Sequence, residues 1–314
     1  MGGAHDHWCI PAFEIVIGWY CLSHFRPCGG RGIYSSRLSV SARLFALARR
    51  GCSRSATLGG MDEHSIMQAV AVARGARNIE VFTGAGMSAD SGLETYRDPE
   101  TGVWSKVDPQ AMASIDAWAR DPEPMWAWYR WRAGQAMKAR PNAGHETIAY
   151  WEGSHLVDAV HVTTQNIDNL HERAGSTEVT HLHGSLFEFR CSICSKPWRD
   201  DGDYPREPVE RLAPPTCSLC GNPVRPGVVW FGEALPQEEW AVAERRMREA
   251  DLVVIVGTSG IVYPAASLPV LAHQRGVPIL EITPKETDLS RIATYSWRAT
   301  AAEGLPALVR RLGV

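Results

Sequence analysis

The sequence predicts an α/β protein, a doubly wound parallel sheet accompanied by a smaller module of helices and a zinc ribbon. Three observations carry this reading. Beyond Met61, short aliphatic runs alternate with amphipathic stretches; one such run, Ile79-Glu80-Val81-Phe82, leads straight into the glycine turn Gly84-Ala85-Gly86; and every cysteine beyond residue 61 belongs to two CxxC pairs, Cys191/Cys194 and Cys217/Cys220.

Taken in order, Asp62 caps a first helix whose apolar face carries Ile66, Met67, Val70 and Ala73 and which ends near Gly75. The strand 79–82 follows. A tryptophan-rich helical stretch from about 109 to 152 interrupts the alternation, and Val157–Thr163 then returns as a strand. The cysteine region, about 187 to 228, interrupts it again. Helical patterns over 237–250 and 264–275 frame the strand Asp251–Val256; Val277–Ile282 follows, and a last helix covers 303–311. Those two late strands are aliphatic runs of the kind buried on both faces of a parallel sheet. The expected division is a poorly ordered extension over 1–60, a Rossmann-like domain built from 61–108, 153–186 and 229–314, and a smaller helical and zinc-binding domain from 109–152 and 187–228. Ligands of such α/β proteins bind at the carboxyl ends of the strands, here against the smaller module.

Composition narrows the function classes. The chain of 314 residues is 45% hydrophobic and 21% charged, with a formal net charge of -3, which lacks the basic footprint of nucleic-acid binding. The longest apolar run near the start, Ile15 to Leu22, is too short to span a bilayer, and no Lys or Arg precedes it as in a secretory signal. No membrane partner and no export are expected, and CxxC pairs without a secretory signal read as metal ligands in a reducing compartment, so the expected location is the cytoplasm. From Ile15 to Met61 there is no Asp or Glu, while arginines alternate with serines, which is transit-peptide composition and makes a mitochondrial location the alternative.

The motifs carry chemistry of different specificity. Gly84-Ala85-Gly86 lets a backbone turn sharply and approach a pyrophosphate, and it equally fits a dehydrogenase GxGxxA pattern or a purely structural turn. Two CxxC pairs present four thiolates to one tetrahedral structural zinc, with a redox pair as the alternative. Gln165-Asn166-Ile167-Asp168 at a strand end offers donors and acceptors suited to ribose hydroxyls and a carboxamide, and His183 titrates near neutrality; taken alone, one of 11 histidines reads as structural. On α-helical spacing, Tyr129 and Arg132 share one face and pair a hydroxyl with a guanidinium, whose fork matches a carboxylate.

In order and spacing, Gly84–Gly92, Thr95-Tyr96-Arg97, Thr164–His171, His183-Gly184-Ser185, the four cysteines, Val228–Glu233 and Gly257-Thr258-Ser259 resemble the sirtuin family over roughly residues 62–312. The resemblance implies NAD-dependent removal of acyl groups from protein lysines, with NAD consumed as co-substrate. Nicotinamide leaves, His183 acts as general base on a ribose hydroxyl, and the acyl group passes to ADP-ribose as lysine is freed. It assigns Asn166 and Asp168 to the catalytic nicotinamide pocket and Gln165 to a ribose hydroxyl. Gly84, Ala85, Gly86, Ser88, Arg97, Trp104, Ile167, Gly257, Thr258, Ser259, Thr283 and Ala301 complete the NAD contacts. Thr283 stands where many relatives carry asparagine, and Glu94 where many carry proline.

The acylated lysine of a partner protein is expected between loops around Val229–Glu233 and Gly260–Tyr263, with Val229 and Phe231 pairing its backbone. Tyr129-x-x-Arg132 looks like the acyl-pocket pair of desuccinylase-type (class III) members, and the small Ala113 leaves room for a longer acyl chain. These features imply a preference for succinyl- or malonyl-lysine over acetyl-lysine. The rival readings are protein mono-ADP-ribosyl transfer, a zinc-containing NAD dehydrogenase, and a zinc-ribbon interaction module with a decayed nucleotide fold.

Overall fold

The computed structural model describes residues 62–93 and 113–314. The extension over 1–60 and the sites expected at Glu94, Thr95, Tyr96, Arg97 and Trp104 lie outside the described residues.

Asp62 opens α1 (Glu63–Ala73) as expected, its carboxylate accepting from the His64 and Ser65 N–H groups that the first turn leaves unpaired. The buried face of α1 is Ile66, Ala69, Val70 and Ala73. Met67, placed there by periodicity, is 44% exposed, because at 3.6 residues per turn it lies about 100° round the helix from Ile66 and off the face those four residues share. Next come β1 (Asn78–Thr83) and the single turn α2 (Gly86–Ala89). From residue 113 on, the tryptophan-rich stretch forms α3 (Ile115–Arg120), α4 (Pro122–Lys138) and α5 (Ala143–Glu152), with extended Asp121 between the first two and residues 139–142, extended at both ends, before the third.

Then follow β2 (Ala159–Thr164), α6 (Leu170–Ala174), β3 (Val179–His181), β4 (Gly184–Cys191), β5 (Pro197–Trp198) and β6 (Val224–Val228). The chain closes with α7 (Gln237–Glu249), β7 (Leu252–Val256), α8 (Leu268–Gln274), β8 (Ile279–Ile282), β9 (Tyr295–Trp297) and α9 (Ala301–Leu312).

Six strands form one parallel sheet in the order β3-β2-β1-β7-β8-β9. Chain direction across the sheet therefore reverses between β1 and β7, the arrangement that opens a ligand crevice beyond the carboxyl ends of those two strands. One face buries Val81, Val162, Val254 and Ile282 against α1, α5 and α9, and the other buries Phe82, Val253 and Ile255 against α7 and α8. Each fully buried side chain of this size contributes roughly 1.5–3 kcal/mol, and their alternation along every strand locks the register. The outer strands β3 and β9 escape the periodicity because each is only three residues long.

A second sheet, β5-β4-β6, is antiparallel. It packs Phe189, Val224 and Val228 against Trp118, Met125, Trp126 and Tyr129 of α3 and α4. Arg130 is buried in this layer, with its guanidinium between the rings of Trp126, Phe189 and Tyr204 and its charge met by Asp200 and Asp201. α5, which the sequence reading places in the smaller module, contributes Ile148 and Trp151 to the core beside the parallel sheet. A helical pattern alone does not reveal which of two cores a helix faces.

Two strand acids also depart from the aliphatic reading. Glu281 is fully buried but ringed by the hydroxyls of Thr287, Ser290 and Ser296. Glu80 is fully buried with no hydrogen-bond partner for its carboxyl among the described residues, and burial pushes it up to about 8.

Candidate active site

The strand ends at the switch point carry the quoted motifs, and contact between two turns explains the glycines. A Cβ on Gly86 would stand 2.7 Å from the Gly257 Cα, and one on Gly257, whose φ is +61, would stand 2.3 Å from the Met87 nitrogen. The N–H groups of Gly84 and Gly86 donate to the carbonyls of Val256 and Gly257. Both N–H groups are thus spent within the fold, and the lack of a Cβ lets the two backbones pass this closely. Ser88, on α2, faces the same crevice and is 2% exposed.

The loop after β2 closes onto this turn. The Asn166 amide donates to the Gly84 carbonyl at 3.0 Å and to the Ser88 hydroxyl at 3.1 Å, and Ser88 in turn donates to Asp168 at 2.6 Å. The other Asp168 oxygen accepts the Leu170 N–H. Burial pushes the Asp168 carboxyl above its ordinary value, against the pull of Ser88 and Leu170. Gln165 donates to the Thr258 hydroxyl at 2.9 Å, joining the ends of β2 and β7. Gly257 donates to the Ile282 carbonyl, which sets Thr283 beside it, and the start of α9 at Ala301-Ala302 is tied to α2 through Asp90. Ser259 accepts the Asp288 N–H.

His183 sits between β3 and β4, with its Nδ1 3.0 Å from the Gln165 carbonyl. A carbonyl only accepts, so Nδ1 carries the proton and the neutral ring presents Nε2 as a base. Burial pushes His183 below its ordinary value, and the Gln165 carbonyl only partly opposes this. The ring is thus uncharged at neutral pH, the state a proton acceptor needs.

The loop after β6 is fastened to the same histidine: the Val229 N–H donates to the His183 carbonyl, and the Phe231 N–H donates to the Ala113 carbonyl. Phe231 is 44% exposed. Beneath it, Ala113, Tyr129, Val228 and Trp230 share one apolar cluster, against which Ile167 of the Gln165–Asp168 loop packs. Arg132 stacks its guanidinium 4.9 Å from the Trp128 ring, and burial pushes the Tyr129 phenol up, so it stays a neutral donor.

Sequence reasoning passed over two pairs here. Arg225 forks onto Glu233 beneath the 229–233 loop, and His181 bridges Glu172 and the Asn166 carbonyl. Of the paired side chains only Glu233 falls in a motif quoted above, so neither pairing had a signal in the sequence.

The four cysteines come together at the far end of the antiparallel sheet. Their sulfurs lie 3.4 to 3.6 Å apart along Cys191–Cys220–Cys194–Cys217, and all fall within 4.8 Å of one another. Tetrahedral zinc with sulfur at 2.3 Å needs sulfurs about 3.8 Å apart, so the cluster fits that ion and leaves no position for water.

Comparison with known proteins agrees with this geometry. The Sir2 family profile matches residues 84–264. An NAD-dependent protein deacylase of Corynebacterium glutamicum is 72% identical over 80% of this chain and 97% of its own length. NAD-dependent protein deacylase Sir2 of Mycolicibacterium smegmatis is 52% identical over 74% of the chain and 96% of its own. Among solved structures, a Sir2 homolog–NAD complex superposes with a TM-score of 0.71 at 41% identity, covering 81% of this chain and 94% of the other. With a family profile spanning more than half of its length and relatives this close over 74% and 80% of it, the chain belongs to the Sir2 family.

Proposed function

We propose that this chain is an NAD-dependent protein-lysine deacylase that prefers succinyl- and malonyl-lysine over acetyl-lysine. Its products on this reading are nicotinamide, O-acyl-ADP-ribose and free lysine. The observation that carries it is the tautomer of His183: Nδ1 is held on the carbonyl of Gln165, the residue before Asn166 of the Asn166–Ser88–Asp168 network, which leaves Nε2 of the uncharged ring as the base. NAD supplies the glycosidic bond that is broken. Asn166 and Asp168 bind and orient the nicotinamide end, Gln165 positions the adjoining ribose, and His183 takes the proton from its hydroxyl.

Gly84, Ala85, Gly86, Ser88, Arg97 and Trp104 serve the pyrophosphate side of NAD, with Gly257, Thr258, Ser259, Thr283 and Ala301 on the adenosine side. The acylated peptide lies along Val229 and Phe231 as an added strand. Cys191, Cys194, Cys217 and Cys220 would hold one structural zinc. Tyr129, Arg132 and Ala113 form the acyl pocket; the support is a phenol kept as a neutral donor and a guanidinium held by stacking on the same helix.

Incubation with NAD and succinyl-, malonyl- or acetyl-lysine peptides, followed by mass analysis, is expected to give O-acyl-ADP-ribose and free nicotinamide. ADP-ribose left on protein would favour mono-ADP-ribosyl transfer, and reduction of the nicotinamide without its release would favour a dehydrogenase. Arg132→Met is expected to lower kcat/KM on succinyl-lysine roughly 10- to 100-fold, the range of one charged hydrogen bond, while acetyl-lysine changes little. Equal losses on both peptides would remove Arg132 as the carboxylate reader.

A further inference from the structure

His181 stands at the end of β3, two residues before His183, and both of its ring nitrogens face acceptors. Nδ1 is 2.9 Å from the Asn166 carbonyl and Nε2 is 2.5 Å from Glu172 Oε1 on α6. A carbonyl cannot donate, and a carboxylate cannot donate, so satisfying both contacts requires a proton on each nitrogen. Only the cationic ring can meet both contacts at once.

We propose that His181 is a positioning residue that works as an imidazolium, joining the Glu172 carboxylate to the Asn166 backbone and so bracing the wall of the nicotinamide pocket; this rests on the functional reading above. The surroundings fit a fixed charge. Burial pushes His181 down, but the Glu172 contacts outweigh it and hold the ring above its ordinary value. Asp168, in the loop after Asn166, is the other acid facing it and is drawn toward its charged form by the cation.

The remaining titratable neighbours are His171 on α6 and His145 on α5, whose own charging burial opposes. Thr180, the preceding residue of β3, turns to Arg246 on α7 instead. The single cation thus serves three acceptor groups: the Glu172 carboxylate and Asn166 carbonyl by hydrogen bonds, and Asp168 by charge. Losing its proton would release one of the two hydrogen bonds and leave Asp168 without its compensating charge, loosening the loop that carries both nicotinamide-side residues.

Two measurements test this on the full chain. Nitrogen-15 NMR without any substrate is expected to show both His181 ring nitrogens still protonated above the ordinary histidine midpoint of about 6.5, with the titration midpoint lower in Glu172→Gln, as expected for loss of an adjacent opposite charge. Calorimetric titration with NAD alone is expected to show affinity falling roughly 10-fold in Glu172→Gln as pH rises across that lowered midpoint, while the parent varies less than about twofold over the same range. Glu172 is largely at the surface, and thermal melts of the variant check that it folds. A neutral His181 ring in the parent, or a variant whose NAD affinity follows the parent at every pH, overturns the proposal. A parent that binds no NAD overturns the functional reading together with the pocket half of this inference, and the spectra still decide the ring's charge.

Discussion

At the scale of single residues, His183 gathers the most chemistry. Its identity was legible in the motif His183-Gly184-Ser185, but its usefulness as a base depends on a carbonyl contributed by Gln165, 18 residues earlier, at the end of another strand. That hydrogen bond fixes the tautomer, and burial keeps the ring uncharged. His183→Ala is expected to lower kcat about 10²- to 10⁴-fold, the usual contribution of a general base, with NAD affinity within about twofold of the parent. Activity should also fall on the acid side as His183 gains its proton. Because its folded pKa is depressed, the midpoint of that limb in kcat/KM is expected below about 6.5, and a midpoint above this would contradict the buried, uncharged ring.

At the scale of elements, the 229–233 loop is held in shape by a fork beneath it. The Arg225 guanidinium meets both Glu233 oxygens, donates to the Val228 carbonyl at 3.0 Å and lies 3.4 Å from the centre of the Trp230 ring, while Glu233 also accepts the Trp230 N–H at 2.8 Å. Both side chains are largely buried. Glu233→Gln keeps the shape and leaves the Arg225 charge uncompensated, so a loss of about 3 kcal/mol in denaturant unfolding is expected. On the proposed function, KM for the acylated peptide should rise while KM for NAD holds. A variant equally impaired in both would show that the fork supports the whole body rather than this loop. Glu233 was visible in the sequence as part of a motif; Arg225 was not, since a charge within a strand reads as solvated until its partner is seen.

At the scale of the whole molecule, buried ionisable groups of opposite tendency set the response to pH. His145 and His171 pack ring against ring, 4.8 Å between centres, where burial pushes both down, His145 to about 4. Between about 4 and 6.5 the unfolded chain therefore binds more protons at these sites, and stability falls as pH drops. Glu80 acts the other way: the fold keeps its proton up to about 8 while the unfolded chain releases it near 4.5, so stability falls as pH rises across that window. Two histidines outweigh one carboxyl below the ordinary histidine value, and above it the carboxyl acts unopposed by them. Melting temperature is expected to peak near pH 6.5, roughly the unfolded histidine value, and to decline toward about 8. Glu80→Gln should flatten that decline, and a parent whose melting temperature climbs steadily from about 6 to 8 would refute the assignment.

The sequence by itself determined the alternation of helix and strand, the central strands, the four-sulfur cluster and the family, because periodicity, capping and motif spacing are local properties of the chain. Tertiary structure decided which core α5 joins, that Gly86 and Gly257 are required by two backbones passing within contact, and that His181 meets an acceptor at each ring nitrogen. Those features arise where segments far apart in the chain meet. Strand pairing and burial, rather than any local run of residues, set the distance and the dielectric between them.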